Sequence, residues 1–144
     1  MTHKYYYDLK GMGIDIFDEK DIKNYCNELN SFDELTSQFN LLKNSFENKA
    51  NERADIGIYR IPVSVEVSSL HVFHKLEKKF FSRKIIDNFF TISHDKETSD
   101  AYYIYFYKTY NFYEVREIFH DFIVNKKLPD VTKWEKTLIT DYRE

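Results

Sequence analysis

The sequence predicts an α+β fold: a small, mostly antiparallel sheet of three to five strands, packed with an N-terminal helical hairpin and two or three further helices. Three observations predict it. Segments of helical and strand periodicity follow in the order β, α, α, β, α, β, β, α, with an ambiguous tail. The strands at residues 85–92 and 101–110 face each other across a polar loop, as in a hairpin, and segregated helices favour α+β over a doubly wound sheet. The chain has 144 residues, 42% of them hydrophobic and 31% charged, which suits one domain, 1–144, with a core of its own.

Residues 4–9 are rich in Tyr and read as a strand, broken by Gly11-Met12-Gly13. Asp18 is a candidate N-cap, and Ile22, Tyr25, Cys26 and Leu29 follow at helical spacing. Ser31-Phe32-Asp33-Glu34 has the form of a capping box, in which the Ser hydroxyl and the Glu carboxylate satisfy orphan backbone N–H groups. Leu35, Phe39, Leu42 and Phe46 then make one stripe, which completes the expected helical hairpin. Residues 56–67 are β-branched, and Pro62 makes them an edge strand or two strands. Leu70, Phe73, Leu76, Phe80 and Phe81 predict a third helix capped by Ser68 or Ser69. After the hairpin, Asn111 caps a helix carrying Val115, Ile118, Phe119, Phe122 and Ile123, which Leu128-Pro129 stops. Residues 131–142 fit either helix or strand.

Aromatic residues reach 18%, from 12 Tyr, 13 Phe and 1 Trp, while Gly and Pro number only 3 and 2. Abundant Tyr, Phe, Asn, Lys and Ile reflect AT-rich codons. A formal charge of −3 argues against general electrostatic capture of nucleic acid. Cys26 is the only cysteine, so the chain forms no internal disulfide. The N-terminus lacks the apolar segment of a signal peptide, and no apolar run approaches a membrane span, so the expected location is the cytoplasm.

Candidate chemistry is sparse. His71 and His74, one turn apart on the expected helix, have a spacing at which a metal can be shared, but no third ligand lies near in sequence, so neither metal nor cofactor is expected. Cys26 with His120 or His94 could form a nucleophile–base pair, although Cys26 falls on a buried stripe. Gly57-Ile58-Tyr59-Arg60-Ile61 resembles the first strand of the GIY-YIG nucleases over five residues, but the Tyr-Ile-Gly strand which that family requires is missing. Phosphate-loop, dinucleotide and nucleophile-elbow motifs are missing as well. Lys75, Lys78, Lys79, Arg83 and Lys84 form a basic run that reads as a solvated helix face or a small anion patch.

The strongest anomaly is Ala101-Tyr102-Tyr103-Ile104-Tyr105-Phe106-Tyr107. Alternation puts Tyr103, Tyr105 and Tyr107 on one face and Tyr102, Ile104 and Phe106 on the other, the second set being the better core face. The Tyr row is then left for a helix, solvent or a partner, and tyrosine is favoured at protein interfaces. The sequence therefore reads as a non-enzymatic protein-binding module. By analogy of size and composition, it suits an inhibitor carried by a phage or mobile element, of anti-defence or immunity type, that occludes a partner with a basic surface. The alternative is a single-strand nucleic-acid binder that stacks bases on the Tyr row and holds phosphates with the basic run. A metal- or Cys-dependent hydrolase ranks third.

Overall fold

The computed structural model describes residues 3–11, 18–49, 54–61, 69–78 and 85–143. Seven strands form one sheet: β1 (Lys4–Asp8), β2 (Asn27–Leu29), β3 (Asp55–Ile61), β4 (Ser69–Lys78), β5 (Ile85–Glu97), β6 (Ala101–Thr109) and β7 (Glu135–Asp141), in the spatial order β2-β1-β3-β4-β5-β6-β7. Every neighbouring pair is antiparallel. The α-helices among the described residues are α1 (Glu19–Tyr25), α2 (Thr36–Glu47), extended at its start by the 3-10 turn Phe32–Leu35, and α3 (Phe112–Ile123).

The expected fold class is overturned in four respects. The sheet has seven strands rather than three to five. Residues 69–78 pair with β5 along their whole length as a strand, not a helix. The Leu70, Phe73, Leu76 spacing suits a helix, but Leu70 and Val72 alternate equally well on one face of a strand, and strand pairing on both sides decides between the two. The N-terminal helical hairpin does not form either. After α1 the chain extends into β2, which takes Leu29 round the sheet edge, so that α1 and α2 pack on opposite faces. Among the described residues only α3 follows where two or three further helices were expected.

The local signals explain the elements that do form. Asp18 accepts hydrogen bonds from the N–H groups of Lys20 and Asp21 and starts α1. Ser31 Oγ accepts from Asp33 N–H, while Glu34 reaches back to Asn30 N–H, so the capping box closes one residue further out than the sequence suggests. Asn111 caps α3 through Tyr113 N–H. The polar segment expected as a long loop mostly belongs to β5, which runs on to Glu97, and Thr98 closes a tight turn by hydrogen bonding with Ala101 in both directions.

The main core lies between the sheet and the layer of α2 and α3. Ile56, Ile58, Leu70, Val72, Phe90 and Ile92 point into it from the strands, and Phe39, Leu42, Val115, Phe119 and Phe122 from the helices. Side chains of this kind contribute roughly 1.5–3 kcal/mol each when fully buried. On the other face α1 seats Ile22 and Cys26 over Tyr59 and Ile61, a smaller cluster. No helix among the described residues is long and apolar enough to cross a membrane.

Candidate interface on the open edge of the sheet

The expected sites fall in several places. The Tyr row faces the same side as α2 and α3: Tyr103, Tyr105 and Tyr107 lie across from Lys96, His94 and Ile92 of β5. Tyr107 is taken up by the fold, its hydroxyl donating to Glu114 Oε1 at 2.8 Å and its ring stacking on Trp134 at 5.3 Å. Tyr103 and Tyr105 remain partly exposed, with the Lys136 ammonium 3.9 Å from the Tyr103 ring centre and 5.8 Å from that of Tyr105. Tyr105 also leans on the buried His94, whose Nδ1–H donates to the Ser69 carbonyl at 2.9 Å.

Beside this row runs β7, the outer strand. Its residues from Glu135 to Thr140 are all exposed, Leu138 and Ile139 by about half. The pairing with β6 steps from Tyr102↔Thr140 to Tyr103↔Leu138, so Ile139 bulges out of register. A bulge in an edge strand hinders flat edge-to-edge self-pairing, while the stretch before it keeps a regular backbone edge. The sequence left this segment between helix and strand, so the signal that was missed is the strand partnership of β6, which lies more than twenty residues upstream.

The other candidate residues, where they are described, are not brought together. His71 and His74 alternate along β4 and therefore sit on opposite faces, where they cannot share a metal. His74 turns into the core against Phe46 and bonds to Asn88. No group of three metal-ligating side chains occurs among the described residues. Cys26 lies under α1, its thiol pushed up to about 12 by burial and then by Asp8, whereas His94 and His120 belong to the opposite face. Of the basic run, Lys75 is exposed on β4 on the face opposite the Tyr row. The Lys78 side chain and the residues Lys79, Arg83 and Lys84 lie outside the described residues. Tyr row and Lys75 are thus not part of one surface.

On the α1 face the strands gather a polar chain that the sequence did not reveal. The Tyr102 hydroxyl donates to Asp95 Oδ2 at 3.1 Å, Ser69 bonds to the same carboxylate, and Ser69 Oγ lies 3.0 Å from His71 Nε2. Burial pushes Asp95 up to about 6 and His71 down to about 4. With Asp95 ionised, both hydroxyls donate to it, Ser69 accepts from His71 Nε2–H, and the tautomer with a bare Nδ1 follows. These are the residue types of a hydrolase triad in the wrong order: the serine stands between histidine and aspartate and is fully buried, so it cannot reach a substrate as a nucleophile.

His71 needs the glycine beneath it. A Cβ at Gly57 would lie 2.8 Å from His71 Nδ1 and 3.1 Å from Cε1. Gly57→Ala therefore forces ring and strand apart and costs about 1–3 kcal/mol in urea unfolding. An unchanged midpoint would mean that the ring moves aside freely.

Compared with protein-family models, with curated proteins and with solved structures, the chain finds no match in any of the three.

Proposed function

We propose that this protein is a non-enzymatic binding module that meets a partner protein along β7 and the neighbouring Tyr103 and Tyr105. The observation that carries this reading is the edge itself. A seven-residue outer strand is exposed along nearly its whole length with Leu138 and Ile139 uncovered, next to two partly exposed tyrosines with the Lys136 ammonium over their rings. Such an edge offers backbone N–H and C=O groups to an added strand, and tyrosines anchor an interface at low entropic expense. Its bulge selects against a second copy of the same edge and in favour of a different chain.

The mechanism is occlusion: the partner's own strand or groove is occupied by β7. Nearby charges are mixed, with Glu135, Asp100 and Asp141 among Lys96, Lys136 and Arg143, so the net charge of −3 steers a basic partner only weakly. The location that goes with this reading is the cytoplasm. The AT-rich composition agrees with an inhibitor carried by a phage or mobile element.

The test pairs the wild type with a Tyr103→Ala, Tyr105→Ala, Leu138→Ala variant as baits in a lysate, beside titrations with single-stranded DNA and RNA. A partner recovered by the wild type and weakened about thirtyfold or more in the variant is the expected result. Micromolar nucleic-acid binding lost in the variant, with no protein recovered, installs the nucleic-acid reading instead.

A further inference from the structure

At the other end of the molecule, far along the sheet from β7, one charged side chain stands at a core position. Arg60 continues the alternation of Ile56 and Ile58 on β3, faces the helix layer, and is only 8% exposed. Buried guanidinium groups are held by carboxylates almost without exception, because an unpaired buried charge loses several kcal/mol of hydration. No carboxylate among the described residues pairs with Arg60; its guanidinium carbon lies 6.0 Å from the centre of the Phe122 ring.

The surroundings share this character. Tyr5, opposite Arg60 on β1, packs edge-on against Phe122, and its buried hydroxyl has no hydrogen-bond partner: the guanidinium approaches without reaching bonding geometry. On the far side of the Tyr5 ring, Lys126 Nζ sits 4.2 Å from the ring centre. Lys126 also holds a left-handed backbone, φ 57°, which a side-chain-bearing residue adopts only at some expense. Next along, Arg116 lies over Phe32 at 5.3 Å and His120 meets the same ring edge-on at 5.0 Å. Tyr5, Phe32, Arg116, His120 and Lys126 line one groove of about 510 Å³, in which Asp33 is the one carboxylate among the described lining residues. Lys126 Nζ also donates to the Ile123 carbonyl at 2.8 Å, but no carboxylate among the described residues neutralises these cations, which are seated on aromatic faces instead.

We infer that this groove is an anion site for a phosphorylated small molecule, with the phosphoryl group drawn to Lys126 and Arg116 at the surface and Arg60 adding charge from behind Tyr5. Arg116 and Lys126 in the lining, with Arg60 behind Tyr5, outweigh the one lining aspartate, an excess that a dianion balances better than a single carboxylate. Guanidinium forks also match phosphoryl oxygens in pairs. The volume exceeds that of a phosphate alone and suits a ligand with a body beyond it. Nothing in this inference depends on the edge interface, which lies across the sheet.

Calorimetry and thermal melts with inorganic phosphate and pyrophosphate, set against chloride and acetate at matched ionic strength, test it. The wild type is expected to bind pyrophosphate with a Kd below about 1 mM and to gain about 3 °C or more in Tm at saturation. Arg116→Gln with Lys126→Gln, both at exposed positions, should weaken binding about tenfold or more. Arg60→Met should weaken it too, while melting no lower than wild type without anion, because a buried charge is exchanged for an apolar chain of similar length. The Tyr103→Ala, Tyr105→Ala, Leu138→Ala variant should bind pyrophosphate like the wild type. A Tm gain that is equal in wild type and in the Arg116, Lys126 variant, or no heat above the chloride control, overturns the inference.

Discussion

Acidification from about pH 7.5 to about pH 4.5 is expected to destabilise the fold by about 3 kcal/mol, a large share of the stability of a domain this size. The cause is a pair of buried neutral histidines. His71 and His94 are both pushed down to about 4, first by burial. Unfolded, each titrates near 6.5, so the unfolded chain takes up protons that the folded chain refuses, and stability falls as pH drops from 6.5 toward 4. Together the two histidines remove roughly 5 kcal/mol by about pH 4.5. Asp95 works in the opposite sense. Burial raises its folded value to about 6, so its ionisation opposes folding above that pH, and acidification relieves the penalty between 6 and its unfolded value. By about pH 4.5 this returns about 2 kcal/mol, with about 1 kcal/mol of the penalty still in place. Urea unfolding across the range checks the balance. His94→Gln should make the profile shallower by about half of the histidine contribution, and a flat profile in the wild type would show that the imidazoles are hydrated.

The second large effect concerns the aromatic core. Phe39 on α2 is buried and touches Phe32, Phe112 and Phe119 at ring separations of 5.6, 6.2 and 5.7 Å. It joins the start of α2 to both ends of α3. Phe39→Ala should cost about 3–5 kcal/mol, because three rings on two separate helices cannot all collapse into the space. A loss below about 1 kcal/mol, the range of surface positions, would mean that α2 and α3 are not packed as described.

How much of this was legible follows from the kind of signal involved. Capping groups are local, so Asp18, Ser31 and Asn111 could be read directly as helix starts. The alternation of Tyr103, Tyr105 and Tyr107 is also local, and their shared face could be read from it. Which layer that face meets could not: Tyr102, Ile104 and Phe106 are the more apolar set only in part, and the helix side of the sheet took the tyrosines. Residues 69–78 show the limit most clearly. Leu70, Val72, Phe73 and Leu76 satisfy two periodicities at once, and only the distant β3 and β5 choose between them. His94 and Asp95 looked like loop residues because they are polar, yet the polar chain on the α1 face draws in Asp95. The β2 strand has three residues, too few to carry a period. Arg60 was legible in principle, since Ile56, Ile58 and Arg60 alternate and an arginine at a core position is an anomaly. The signal is weak because a single arginine in a β-branched run fits an edge strand as well, and only the pairing with β1 and β4 makes β3 an inner strand.

Hydrogen exchange on the protein alone and loaded with its captured partner tests the central claim most directly. Partner binding is expected to slow exchange at the amides of β7, Glu135–Asp141, whose outward groups are open to water in the free chain. The effect should be strongest over the regular stretch before the bulge at Ile139, with smaller changes on β6 around Tyr103 and Tyr105. Protection confined to α1, α2 or the groove at Tyr5, with β7 exchanging as fast as in the free protein, would contradict it.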